Sequence, residues 1–291
     1  MIANAKAFAK LNISLDIIAK MPDEYHEMLM VMQTVQLCDD VSISCCPGNG
    51  ITVVSNYDYI PVDDRNIAAK AVKIFLEFTK IKGYEVKIEL KKRIPVAAGL
   101  GGGSADGACV LRLLNSVFNT GLSLNQLEKI GAQVGSDVPF CIGGGTKLAS
   151  GRGEILSDIT PIPDCYIVIC KPSFAYSTPE LFRRIKCDKI RVRPDTEGLV
   201  SAFHKRDLAE IARRMYNVFE DFLPRGSDDI DDIKSSLLDF GALGVVMSGS
   251  GSSVFGLFGE SSTAEKACDF LKKKHSFAVV TKPQHYYGGS L

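Results

Sequence analysis

The sequence carries no surplus of charge. Thirty-four Lys and Arg balance thirty-four Asp and Glu over 291 residues, for a formal net charge of zero at neutral pH. A dedicated nucleic-acid binder normally shows a basic excess, so no nucleic-acid partner is expected. Long apolar runs are missing as well. No stretch of about 18 uncharged apolar residues occurs, which argues against a membrane-spanning helix. The uncharged segment from Ala242 to Gly259 is broken by Ser248-Gly249-Ser250-Gly251-Ser252-Ser253. Lys6 and Lys10 fall where a signal peptide would need its apolar stretch, so export is not expected. The nine cysteines are odd in number, contain no C-x-x-C pair, and several sit in apolar runs (Cys109, Cys141, Cys170). They read as reduced thiols of a cytoplasmic protein. The four histidines lack metal-ligand spacing and no G-x-S-x-G elbow is present, so zinc hydrolysis and serine-hydrolase chemistry have no support.

What remains is an ordinary globular balance of 46% apolar and 23% charged residues, enough for one large domain or two smaller ones. Extended and helical patterns alternate. Ala7, Ala9, Leu11, Ile13, Leu15 and Ile17 fall on one face of a strand, with Lys10, Asn12, Ser14 and Asp16 on the other. By spacing alone the second set reads as a solvated face. Further strands are expected over Val31–Ile43, Gly50–Val54 and Tyr84–Leu90, and a helix over Ile67–Lys80 capped by Asn66. A second helix runs on from Ser104, and a third opens with Ser123 and Gln126 in capping-box spacing. The boundary between two units, 1–150 and 151–291, is placed near Gly151-Arg152-Gly153. The second unit reads as strand, helices, the strand–loop–strand Leu243–Phe258, a capped helix Ser262–His275 and a strand at Phe277–Thr281. The mixture is α+β.

Glycine clusters carry the chemistry. Gly99-Leu100-Gly101-Gly102-Gly103-Ser104 leads into a helix, where free N–H groups and the positive dipole end make an anion site. The competing interpretation is a flexible loop with Ser104 as N-cap. The cluster is neither a Walker A sequence nor a dinucleotide fingerprint. Asp137 precedes Val138-Pro139-Phe140 and by itself suggests a turn. Asp239-Phe240-Gly241 matches a protein-kinase tripeptide, but without that family's other motifs it reads as a helix end. The acidic run Asp228, Asp229, Asp231 and Asp232 suits a helix start.

In their order, the strand with Lys10, the segment PVAAGLGGGSADGA and the late MSGSGSSVF resemble the GHMP small-molecule kinases. Within that family, Ala9–Leu15, Pro22–Glu27, Gly135–Phe140 and Ser177-Thr178-Pro179 look like the branch acting on a cytidine diphospho-methylerythritol. The resemblance implies a two-domain fold, an N-terminal mixed α/β ATP-binding domain followed by a ferredoxin-like α/β domain. It implies ATP-dependent phosphorylation of the substrate's 2-hydroxyl, with ATP and Mg²⁺ as cofactors. Lys10 and Asp137 take the catalytic roles. Pro95, Val96, Ala97, Ala98, Gly99, Leu100, Gly101, Gly102, Gly103, Ser104 and Ala105 wrap the ATP phosphates, with Ser104 a metal ligand. Lys92 and Asn66 lie toward the nucleoside end of ATP. Asn12, Tyr25, His26 and Thr178 contact the substrate. Three places depart from the family pattern: Glu24 replaces a glycine, Gly107 an alanine, and Tyr216-Asn217-Val218-Phe219-Glu220 differs from the usual Asn-Asp-Leu-Glu. Kinases of other small alcohols and a non-catalytic nucleotide-binding protein remain alternatives, though Lys10, Asp137 and all three loops together weigh against the latter.

Overall fold

The computed structural model describes residues 1–22, 25–224 and 226–285. Glu24 lies outside the described residues. In chain order the first half contains β1 (Ile2–Lys20), β2 (His26–Pro47), β3 (Gly50–Ser55), α1 (Ile67–Thr79), β4 (Tyr84–Lys91), α2 (Gly102–Val117), α3 (Leu124–Val134), α4 (Val138–Gly143), β5 (Thr146–Ser150) and β6 (Ile155–Asp158). The second half contains β7 (Tyr166–Lys171), α5 (Thr178–Arg184), α6 (Thr196–His204), α7 (Leu208–Arg213), β8 (Tyr216–Asn217), α8 (Asp228–Asp239), β9 (Gly244–Met247), β10 (Val254–Phe258), α9 (Ser261–Lys272) and β11 (Phe277–Thr281).

Local signals explain most boundaries. Asn66 caps α1 by accepting from the Ala68 N–H, and Ser123 with Gln126 forms the expected capping box of α3. The acidic run opens α8, and Asp239-Phe240-Gly241 closes it. One cap expectation fails. Helix α9 begins at Ser261 with Glu260 in the cap position and no side-chain cap bond, so the expected cap Ser262 lies inside the first turn and Glu265 accepts from the Ser261 hydroxyl instead.

Two sheets organise these elements. The first has seven strands on the path β3-β4-β2-β1-β8, with β5 on β2 and β6 on β5. The hairpin β5/β6 straddles residues 150 and 151, and both its arms belong to this sheet. The second sheet runs β11-β7-β10-β9 and is antiparallel throughout. Helices α8 and α9 pack on it, completing the βαββαβ order of a ferredoxin-like unit.

The long hairpin β1/β2 joins the two halves. Register shifts interrupt β1 between Phe8 and Lys10 and again between Asn12 and Ser14. At the first, β2 runs two residues longer than β1 between the paired positions; at the second, β1 runs one longer than β2; a third shift falls between Ile17 and Ala19. Such irregularities break the alternation of side chains along the strand. Ala7, Leu15 and Ile17 therefore enter the core beneath α1, α2 and α4, whereas Ala9, Leu11 and Ile13 enter a second core. That second core holds Ile167, Ile169, Phe255 and Leu257 of the other sheet, with Leu199 and Phe203 of α6. The six apolar residues read as one face are split between two cores. The expected solvated face is absent: Lys10, Asn12, Ser14 and Asp16 are 5%, 1%, 0% and 4% exposed.

Candidate active site

A cavity of about 1230 Å³ runs between the two halves and gathers nearly every residue named from the sequence. Its floor is the glycine loop, Pro95 through Ser104, which leaves β4 and turns into α2. Gly101 is the N-cap, in the left-handed region at φ 68°, and supplies no side-chain cap. No side chain at the cap position therefore competes for the first-turn N–H groups. Ser104 is the third residue of the helix and not its cap, so its hydroxyl stands beside the loop. Ala105 faces the core at 1% exposure and does not line the cavity.

Lys10 and Asp137 meet over this loop. The Lys10 ammonium lies 3.5 Å from Asp137 Oδ2 and donates to Asn12 Oδ1 at 2.6 Å. Asp137 is the N-cap residue of α4, and the Lys10 backbone N–H donates to the Leu100 carbonyl at 3.0 Å. A Cβ at Gly101 would come within 2.8 Å of Lys10 Cγ, so only glycine lets the loop and the lysine stem touch. The Lys10 side chain is nearly inaccessible while that of Asp137 is 31% exposed. A buried cation fixed by two oxygens thus faces a carboxylate that solutes can reach.

The two residues expected toward the nucleoside end both line the cavity, with their polar atoms engaged within the chain. Asn66 lines the cavity, but its oxygen caps α1 and its amide donates to the Pro61 carbonyl at 2.7 Å. The Lys92 ammonium is also spent, between Asp39 and Asp106, 2.5 Å from the Asp106 carboxylate. Asp39 in turn accepts from the Ile94 N–H at 2.8 Å, which fixes the entry to the loop. Burial works to lower the Lys92 pKa, but the Asp106 and Asp39 carboxylates outweigh it and hold the ammonium above its ordinary value. Burial raises Asp106 to about 7, against the pull of Lys92.

At the opposite end, His26 stacks on Phe182 at 5.0 Å, and the Arg152 guanidinium lies 4.0 Å over the Tyr25 ring. Thr178 at the start of α5 shares a 2.7 Å hydrogen bond with Ser250 of the third glycine loop. Sequence reasoning missed Phe182 and Arg152, and also Lys20, Arg65, Arg183 and Asp106, all of which line the cavity. Arg152 sat in the segment read as a domain boundary. Asp106 lies within PVAAGLGGGSADGA but on the helix beyond the loop; the rest lie outside the quoted motifs, and their spacing from the glycine loops carries no signal. Among the described residues, six basic side chains (Lys10, Lys20, Arg65, Lys92, Arg152, Arg183) and two acidic ones (Asp106, Asp137) line the cavity. A chain of zero net charge thus concentrates cations in one place, as a polyanion site requires.

Comparison with known proteins bears on the chain as a whole. The family model for the GHMP kinases N terminal domain matches residues 66–145, and that for the GHMP kinases C terminal matches residues 199–276. A 4-diphosphocytidyl-2-C-methyl-D-erythritol kinase of Clostridium perfringens is 42% identical over 275 residues, covering 94% of this chain and 95% of the relative. A protein of the same name from Geobacillus thermodenitrificans is 42% identical over 270 residues, covering 92% of each. A crystal structure of 4-(cytidine 5'-diphospho)-2C-methyl-D-erythritol kinase superposes with a TM-score of 0.81 at 28% identity, covering 99% of this chain and all of the other. The homoserine kinase of Cytophaga hutchinsonii shares the fold at a TM-score of 0.76 and 21% identity. With both family domains present in order and relatives matching along nearly the whole length, the chain belongs to the GHMP family of small-molecule kinases.

Proposed function

We propose that this kinase transfers the γ-phosphoryl group of ATP to the 2-hydroxyl of 4-diphosphocytidyl-2-C-methyl-D-erythritol, a step toward isoprenoid precursors. One observation carries the reading. The Lys10–Asp137 pair stands in a single cavity between the glycine loop at the start of α2 and the ring-lined wall of Tyr25, His26 and Phe182. Anion site, reactive pair and base-binding wall follow one another in the order that donor phosphate, acceptor hydroxyl and cytidine need.

In this reading the first-turn amides of α2 and the loop backbone hold the ATP phosphates, with charge stabilisation from the helix dipole. Asp137 Oδ2 orients the acceptor hydroxyl and takes its proton. Phosphoryl transfer passes through a loose transition state, so little deprotonation is required before attack and an ordinary carboxylate suffices. Lys10 Nζ, held by Asn12, offsets charge that develops on the transferred group. Tyr25 and His26 receive the cytosine ring, while Arg152 and Lys20 stand where a diphosphate needs countercharge. Asn12 and Thr178 contact the polyol side.

Mg²⁺ fits the donor set. It binds few protein oxygens and keeps waters and phosphate oxygens as its other ligands, so the Ser104 hydroxyl beside the loop is an adequate anchor. Bound there, the ion would neutralise charge on the phosphate oxygens. The nine free thiols suit a reducing, ATP-containing cytoplasm. No helix of the described residues is long and apolar enough to cross a membrane.

The test is ADP release by the purified protein with Mg²⁺ and ATP, comparing the cytidine diphospho-alcohol with mevalonate and homoserine. Turnover only with the first is the expected result. No turnover with it, or equal turnover with the others, would refute the assignment.

A further inference from the structure

The third glycine loop, Ser248 to Ser253, presses on the reactive pair. A Cβ at Gly249 would lie 3.2 Å from each of Lys10 Nζ, Asn12 Oδ1 and the Gly99 carbonyl oxygen. On its front the loop meets the phosphate loop, with the Ser248 hydroxyl donating to the Gly99 carbonyl at 3.0 Å. Its back is held by a different segment. Asn217, 1% exposed, donates through Nδ2 to the carbonyls of Met247 and Gly249 at 2.7 and 2.8 Å. Its Oδ1 accepts from the Phe219 N–H at 3.0 Å, so the amide cannot flip without losing all three bonds. Three residues on, Glu220 Oε1 accepts from the Met247 N–H at 2.8 Å, while its other oxygen pairs with Lys234.

Both backbone groups of Met247 are therefore held by an Asn-x-x-Glu spacing. The same segment is tied to the catalytic strand: β8 pairs parallel with β1 at Ser14–Tyr216 and Leu15–Asn217, just beyond Asn12. Neither Asn217 nor Glu220 lines the active-site cavity. We propose that Asn217 and Glu220 are positioning residues for phosphoryl transfer, acting as a clamp that sets Gly249 against Lys10 and Asn12. The departure at Val218-Phe219 leaves this clamp intact, because only the asparagine and the glutamate reach the loop.

The inference rests on the proposed reaction, in which Lys10 serves the transferred group. Asn217→Asp preserves size and the bond from Phe219 but turns a carboxylate oxygen toward two carbonyls. The loop must retreat, and a displacement of about 1 Å at a reacting group costs roughly 100-fold in rate. The structure thus predicts kcat down about 100-fold, with the KM for ATP within about threefold of wild type. Glu220 supplies an independent pair. Glu220→Ala removes the acceptor and should lower kcat at least about tenfold. Glu220→Gln keeps the acceptor for Met247 and sets an amide NH₂ beside the Lys234 ammonium. That long side chain is partly open to solvent and can turn away, so kcat should stay within about twofold of wild type.

Rates are normalised to folded protein, well below the melting transition recorded by circular dichroism. Lowered melting temperatures with unchanged kcat in Asn217→Asp and Glu220→Ala would show a merely structural role and overturn the proposal. If Asn217→Asp does not fold, equal kcat in Glu220→Ala and Glu220→Gln overturns it instead. A wild-type protein without turnover would overturn the proposed reaction itself, and with it this inference.

Discussion

At Gly99 the backbone adopts φ 74°, and a Cβ there would lie 1.9 Å from the Ser248 carbonyl oxygen and 3.0 Å from the Gly251 nitrogen. Replacing Gly99 by alanine therefore has two separable costs. Holding an L-residue in the left-handed region costs about 1–2 kcal/mol of stability. Restoring an ordinary contact of about 3.4 Å also requires the phosphate loop and the third loop to separate by roughly 1.5 Å. Both loops touch Lys10, so this separation falls on the reacting groups, where about 1 Å costs roughly 100-fold. Gly99→Ala should lose at least about 100-fold in kcat/KM for ATP and melt a few degrees lower. Gly83→Ala is the control. Gly83 has φ 80° with no atom within 4 Å, so alanine there carries the backbone cost alone. Steady-state ADP release and thermal melting are measured on both. If Gly99→Ala keeps wild-type kcat/KM, or if Gly83→Ala loses activity in parallel, the steric account of the two loops is wrong.

Three further substitutions test other parts of the site. Asp137→Asn should lower kcat by about 10²–10⁴-fold while equilibrium binding of ATP stays near wild type, and loss of ATP binding would refute the assigned role. Phe182→Ala removes the stack with His26 and the edge contact with Phe219 at 4.9 Å. At about 0.5–1.5 kcal/mol per aromatic pair, the KM for the diphosphocytidyl substrate should rise roughly tenfold. A parallel rise in the KM for ATP would contradict this. Lys92→Met strands the buried Asp39 and Asp106 carboxylates and should cost about 3–5 kcal/mol in urea unfolding, partly recovered by adding Asp106→Asn. A Lys92→Met protein of wild-type stability that binds ATP poorly would return Lys92 to the direct nucleotide contact expected from the sequence.

Strands, helices and most caps were legible in the sequence because they depend on neighbours within a few residues. Asn66 and Ser123 cap the helices that their spacing announces, and Phe277–Thr281 is the strand its alternation describes. The glycine turn into α2 was legible for the same reason, since its left-handed Gly101 and the helix that follows depend on local geometry. The environment of β1 was not. Its alternation suggests one wet face, yet irregularities in the β1/β2 pairing break that alternation and a second sheet, more than 150 residues away in sequence, covers its other side. Lys10 and Asn12 are buried for that reason, and burial leaves the Lys10 ammonium beside Asp137. The same limit applies to Asn66 and Lys92, whose polar atoms are spent on Pro61, Asp39 and Asp106. By itself the sequence determined the local elements, the glycine turn into α2 and, through its motifs, the family. Only the tertiary structure decided which polar groups remain free for a ligand, because hydrogen bonds and burial are settled between segments far apart along the chain.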